Sequence, residues 1–268
     1  MKHIRNLVLG SEGFVGIPFC RYLERIGEEV VRLDIKRGNE EDLRYMALPL
    51  DNIDRVYFLA WEVGGSKYLY LDNSQEIQLD WNVKMLLNVM PQLHDVPFLF
   101  ISSQLAEDVN SVYGVTKRLG EVWTKVLKGS CVRLWNIYGS HEDPNIRSHV
   151  IGDFIYQALN NGEIKMLTTG EEKRQFVHYE DANRAFRKAL SYPLQGTYDV
   201  TSNEWVKIID IANMIGVMTG AKVYPGDKIG STQFTQTVNL IPGWWSDEIS
   251  LEDGLSDQVN YARKLWKK

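Results

Sequence analysis

Short apolar runs alternate with amphipathic stretches through the first half of the chain. "IRNLVLG" (4–10), "EEVVRLD" (28–34), "IDRVYFLA" (53–60), "VPFLFISS" (96–103) and "SCVRLWNIYG" (130–139) have the length and apolar density of strands. Between them, "GIPFCRYLERIG" (16–27), "SQEIQLDWNVKMLLNVMPQL" (74–93) and "YGVTKRLGEVWTKVLKG" (113–129) read as helices, the first and last closing on a glycine. Strands separated by helices call for crossover connections and therefore a parallel sheet. "VYFLA" and "FLFIS" are apolar throughout rather than alternating, as strands covered on both faces must be. Past residue 139 the elements shorten. "VIGDFIYQALNNG" (150–162), "EDANRAFRKALSY" (180–192) and "SNEWVKIIDIANMIGVMTG" (202–220), the last read as a capped helix, are helical. "GTYDVTS" (196–202) reads as a strand, and "ISLEDGLSDQVNYARKLWKK" (249–268) as a turn into a final helix. The pattern predicts one α/β unit, with a core over 1–139 to which 175–200 return and a smaller lobe over 140–268.

Composition narrows the partners. The chain has 268 residues, 44% hydrophobic and 24% charged, enough for a sizeable core. A net charge of −5 offers no footprint for nucleic acid or an anionic membrane. No apolar run approaches a membrane span, and the run before Gly10 is too short for a signal peptide, so a cytoplasmic protein is expected. Cys20 and Cys131 lie far apart in apolar contexts and read as free buried thiols. No C-x-x-C, H-E-x-x-H or Cys/His cluster points to a metal.

Two stretches carry candidate chemistry. "VLGSEGFVG" sets Gly10, Gly13 and Gly16 between the first strand and first helix, where glycines allow a tight turn and close approach of a pyrophosphate to the helix N-terminus. Asp34 ends the second strand, 18 residues after Gly16, where its carboxylate suits ribose hydroxyls and repels a 2′-phosphate. NAD is therefore favoured over NADP, although Lys36 and Arg37 follow closely. In "ISSQLAEDVNSVYGVTK", Ser103 ends a strand while Tyr113 and Lys117 share one face of the next helix. An ammonium beside a phenol lowers the phenol's pKa, which suits proton exchange with a sugar hydroxyl. Ser102 is the alternative to Ser103.

Together these motifs resemble the extended short-chain dehydrogenase/reductase superfamily, in its NAD-dependent nucleotide-sugar epimerase/dehydratase branch. "VYFLAWEVGG", "DWNVKMLLNVM" with Asn82, "VRLWNIYG", "RQFVHYEDA" and "ISLEDGL" extend the likeness over nearly the whole chain. The resemblance implies a Rossmann-type doubly wound parallel sheet with a smaller C-terminal substrate-binding lobe. It implies a catalytic trio of Ser103, Tyr113 and Lys117, with Tyr113 and Lys117 also touching the cofactor. Gly10, Gly13, Phe14, Val15 and Gly16 would wrap the pyrophosphate, Asp34 would hold ribose, and Asp42 and Leu43 would flank adenine. Leu59 and Ala60 would line the cofactor path. Asn136 and Arg174 would contact the diphosphate of a nucleotide-sugar substrate, though Asn136 could instead cap a turn and Arg174 could pair with Glu172 or Asp181. A homodimer through helices at roughly 75–92 and 113–128 is implied as well.

The chain also departs from that pattern. The segment from Asp34 to "VYFLA" is short, so one strand and its helix should be abbreviated, and only ten positions separate Ser103 from Tyr113. Gln104 and Leu105 stand where sugar dehydratases carry an Asp-Glu pair, and no cysteine accompanies the trio. His141 and His178 are the histidines expected nearest the cleft, or else on the surface. The simplest chemistry left is epimerisation through a transient keto sugar, at C4 by default. A keto-sugar reductase or dehydratase of the same fold is the alternative, and a catalytically silent dinucleotide-binding module is a third reading.

Overall fold

The computed structural model describes residues 4–65, 68, 71–139, 147–191, 196–232, 243 and 245–266, with Asp72 and Trp266 described in backbone only. Six strands form one parallel sheet: β1 (Arg5–Leu9), β2 (Glu29–Leu33), β3 (Arg55–Phe58), β4 (Phe98–Ser103), β5 (Ser130–Leu134) and β10 (Thr197–Val200). Their spatial order is β10-β5-β4-β3-β1-β2. Crossover helices cover both faces, as the continuous apolar strands require. Helix α1 (Gly16–Arg25) joins β1 to β2, α2 (Asp72–Val89) joins β3 to β4, and α3 (Val112–Val126) joins β4 to β5. This is the Rossmann-type doubly wound sheet. The order in which strands are added reverses at β1, which lies between β2 and β3, so a crevice opens at the carboxyl ends of those strands.

The expected abbreviation is visible. Between β2 and β3 the described chain makes only a short 3-10 turn at Asn39–Glu41, so β2 is left as an edge strand. Two further readings need correction. "SCVRLWNIYG" is not one strand but two, β5 and β6 (Asn136–Tyr138), broken at Trp135. There the Trp135 N–H donates to Val200 O (3.2 Å) and its indole N–H to Asp199 (2.8 Å), so the chain leaves the sheet and β6 pairs with β9 (Phe176–His178) instead. Nor does the helix in "SNEWVKIIDIANMIGVMTG" start at its serine. Val206 and Lys207 form the short strand β11 against β8 (Lys173–Arg174), and the helix α6 begins at Ile208 and runs to Thr219.

The lobe core is helical. Helices α4 (Val150–Asn161), α6 and α7 (Leu251–Trp266) bury Ile151, Phe154, Ile211, Ile215, Leu255 and Val259 together. Gly162 and Gly220 end α4 and α6 in the left-handed conformation. Ser250 caps α7, accepting from the Asp253 N–H (3.1 Å) and donating to its carboxylate (2.7 Å). Strands β7 (Glu163–Lys165) and β12 (Lys222–Tyr224) pair beside them. Helix α5 (Tyr179–Ser191) instead packs under the main sheet, where Ala182, Ala185, Phe186 and Ala189 are fully buried. Both cysteines are free and buried, as expected. No described helix is long and apolar enough to cross a membrane.

Candidate active site

At the crevice the chain encloses a cleft of about 970 Å³, lined by all fifteen residues for which the resemblance implied a catalytic, cofactor or substrate role. The glycine turn is built on close approach. Gly10 has φ +90°, and a Cβ there would lie 2.6 Å from the Ala60 backbone nitrogen. A Cβ on Gly16 would collide with the Gly10 carbonyl. No side chain caps the N-terminus of α1 at Val15, so its dipole faces the cleft. This cradle fits a dinucleotide pyrophosphate, because side chains at Gly10 and Gly16 would strike the backbone and keep the turn from closing tightly before the helix N-terminus.

Asp34 is largely buried and is oriented by backbone N–H groups, accepting from Glu12 and Lys36 at 2.9 Å each. The two cations after it turn elsewhere. Lys36 donates to the Glu12 carbonyl (2.9 Å), and Arg37 pairs with Glu41 (3.3 Å). A ribose placed there would therefore meet the carboxylate. Asp42 is forked by Arg44 (2.6 Å), which lies 3.8 Å above the Trp81 ring. Hydrogen bonds from Arg44 hold the Asp42 carboxyl below its ordinary range. Leu43 is buried beside them, and Phe14 stacks on His149 with ring centroids 4.8 Å apart.

Ser103, Tyr113 and Lys117 come together in the cleft, but their electrostatics differ from the expectation. The Tyr113 hydroxyl shares a hydrogen bond with Ser103, whose oxygen also accepts from the Leu105 N–H (3.2 Å). Burial pushes the Tyr113 phenol up to about 12 despite that bond, rather than down. The reason is the pose of Lys117, which donates to the Ile101 carbonyl (2.7 Å) with Nζ 5.8 Å from the Tyr113 ring centroid. Burial lowers the Lys117 amine to about 7. Ser102 also lines the cleft, but its hydroxyl donates to Glu121 (2.7 Å).

The short link from Ser103 to Tyr113 is a 3-10 turn at Gln104–Glu107 followed by Ser111, which caps α3 through the Gly114 N–H (3.3 Å). A Cβ on Gly114 would strike the carbonyls of Leu105 and Asp108, so glycine allows the helix to start this close. Arg133 locks the link from below, pairing with Glu107 and with Glu121 (2.6 Å).

On the lobe wall, Asn136 donates to the Gln175 carbonyl (2.8 Å), tying β6 to the chain before β9, and Arg174 donates to the Lys173 carbonyl (2.8 Å). Asp181 is engaged by Arg184 and by the N–H groups of Glu248 and Ile249 (3.2 Å each). His178 does not line the cleft; it is buried against Tyr138 and Tyr179. His141, and most of the "STQFTQTVNLIPGWW" stretch, lie outside the described residues. Trp61, Glu62, Arg147 and His149 line the cleft without having been singled out, and Glu172, expected only as a partner of Arg174, lines it too. For Trp61 and Glu62 a signal existed, since they directly follow Ala60. Arg147 and His149 carried none, because a tertiary bond from the Gly65 N–H to the Arg147 carbonyl (2.7 Å) helps bring their segment there.

Comparison with known proteins shows the family. The family model described as "NAD dependent epimerase/dehydratase family" matches residues 6–201. The dTDP-4-dehydro-6-deoxy-D-allose reductase of Streptomyces bikiniensis is 25% identical, covering 96% of this chain and 95% of its own. The UDP-glucose 4-epimerase of Thermotoga maritima, solved with UDP-glucose, superimposes with a TM-score of 0.83 at 20% identity, covering 98% of this chain and 100% of its own. The UDP-glucuronic acid 4-epimerase of Bacillus cereus, solved with UDP-glucuronic acid and NAD, gives 0.79 at 21% identity, covering 98% and 100%. The glycine cradle, the oriented Asp34 and the Ser103–Tyr113–Lys117 cluster thus belong to a chain that is a member of the NAD-dependent epimerase/dehydratase family.

Proposed function

We propose that the protein epimerises a nucleotide-diphosphate sugar, at C4 by default, through a transient keto sugar. The observation that carries this reading is the single cleft holding the glycine cradle, Asp34 and the Ser103–Tyr113 hydrogen bond together. The chemistry that NAD supplies when bound is reversible hydride uptake. Gly10, Gly13, Phe14, Val15 and Gly16 hold its pyrophosphate, Asp34 its ribose, Asp42 and Leu43 its adenine, and Leu59 and Ala60 its path. Tyr113 exchanges a proton with the sugar hydroxyl as that carbon is oxidised and then reduced on its other face. Ser103 hydrogen-bonds the same oxygen, and Lys117, as an ammonium, holds the ribose and offsets negative charge that develops on the Tyr113 oxygen during proton exchange. Arg174 and Asn136 face the diphosphate, for which a planar guanidinium is well shaped.

Tyr113→Phe should abolish turnover, by about a thousandfold or more, while NAD binding measured by calorimetry stays nearly unchanged. Turnover surviving that change would remove the assigned mechanism. The Streptomyces reductase favours a second reading, in which a keto-sugar nucleotide is reduced. Net NADH consumption with a 4-keto sugar would establish that reading, whereas NAD retained through purification and recycled supports the epimerase.

We further propose a homodimer through α2 and α3. On α3 the face against the sheet is Gly114, Thr116, Lys117, Gly120, Glu121 and Thr124, while Val115, Leu119, Val122 and Val126 are exposed. Ile77 and Leu87 on the neighbouring α2 are exposed too. An apolar stripe facing water along two packed helices is the mark of an interface.

A further inference from the structure

The sequence set Lys117 beside Tyr113, yet the nearest aromatic contact of its amine is elsewhere. Lys117 Nζ lies 4.0 Å from the centroid of the Trp61 ring, against 5.2 Å from Phe100 and 5.8 Å from Tyr113. Trp61 is a fixed platform. It stands edge-on to Phe58 (6.2 Å, 60°) and Phe100 (5.5 Å, 66°), two of the largest fully buried side chains, and its indole N–H is buried without a hydrogen-bond partner. That N–H therefore gives no reason for the indole to stand here.

The other groups facing the amine offer little compensation for its charge. Lys117 is only 4% exposed. From β4 it receives the Ile101 carbonyl, and from β5 the buried Cys131 thiol. On its own helix Glu121, one turn on, is committed to Arg133 (2.6 Å), Arg118 (2.9 Å) and Ser102 (2.7 Å), and Tyr113 is a neutral phenol bound to Ser103. Glu62, beside Trp61, is engaged by Tyr68 and Arg147. No described carboxylate pairs with Lys117 directly. A desolvated ammonium over an indole face gains more than an exposed one, because the ring quadrupole acts there without competing water.

We propose that Trp61 is a positioning residue for Lys117: its indole face holds the side-chain nitrogen below Tyr113 and keeps it in the cationic form. The inference rests on the role given above to Lys117 in the reaction, but the pair itself is a property of the protein without ligands. Burial places the amine close to neutrality, at about 7, so a modest change in cation–π attraction redistributes its charge around physiological pH. Weakening the ring's attraction destabilises the ammonium only, so the titration midpoint must move down, not up.

The test is a titration of Lys117 in cofactor-free protein carrying 13C-lysine, followed by NMR, with the resonance assigned by its loss in Lys117→Met. Position 61 is replaced in turn by mono-, di-, tri- and tetrafluorotryptophan, which keep the shape of the ring while draining its quadrupole. The midpoint should fall stepwise with fluorine number, reaching about one pH unit, or tenfold in proton affinity, for the tetrafluoro ring and for Trp61→Leu. A midpoint constant across the fluorinated series would overturn the proposal, even if Trp61→Leu destabilises the fold. In the loaded enzyme the basic limb of kcat/KM against pH should move down in step. If the titration moves and that limb does not, the catalytic role of Lys117 falls while the pairing with Trp61 stands.

Discussion

Gly10 shows how much of the site is set by single residues. Its φ of +90° and its contact with the Ala60 backbone exclude any side chain on two independent grounds. Gly10→Ala should cost about 2 kcal/mol and release bound NAD, read as a lower thermal midpoint and loss of dinucleotide from the purified protein. Residues of this kind were legible in the sequence because their positions follow from local register: a turn after a strand, a carboxylate at a strand end, a tyrosine and lysine one helical turn apart. The charge state of Tyr113 was not legible. It depends on where Lys117 points, and that is decided by the Ile101 carbonyl and the Trp61 ring, which are remote in sequence. Nor was the commitment of the Ser102 hydroxyl to Glu121 legible, since the two residues are 19 positions apart.

Among the elements, the abbreviated connection between β4 and α3 rests on a buried charge cluster. Burial alone would push the Glu121 carboxyl up, but hydrogen bonds from Arg133 and Ser102 outweigh it and hold it below the ordinary carboxylate value. A depressed carboxyl contributes stability above its unfolded pKa of about 4.3 and loses it as pH falls through the lower folded value. Glu121→Gln should therefore destabilise by roughly 3 kcal/mol at pH 7, with the gap to wild type narrowing in acid. Urea unfolding at pH 7 and below pH 4 checks this, and a gap independent of pH would exclude the cluster as its source. Strands and crossover helices were legible from periodicity, to within a few residues. The break at Trp135 was not, because an unbroken apolar run hides the point where partners change from β4 and β10 to β9.

At the scale of the whole molecule, α3 inverts the usual order of an amphipathic helix. Gly120 lets it sit against the Phe100 ring, so small and polar residues face the sheet and valines face outward. If that face joins two copies, Val122→Glu should convert a dimer to a monomer in light scattering, with cofactor binding retained. A wild-type monomer at micromolar concentration would remove the dimer proposal. The sequence could not apportion the two faces, since Val115, Leu119, Trp123 and Val126 are equally apolar on paper.

The sheet is also finished late. Its outermost strand on one side, β10, is supplied by residues 197–200, and the helix lining its underside by residues 179–191. During synthesis, a nascent chain that has passed the glycine loop, Asp34, Ser103, Tyr113 and Lys117 still shows the bare edge of β5 and an uncovered apolar floor. Such an edge invites pairing with any other extended chain. The ribosome must deliver 66 more residues after Leu134, to Val200, before the protein can close over the half that carries the glycine loop.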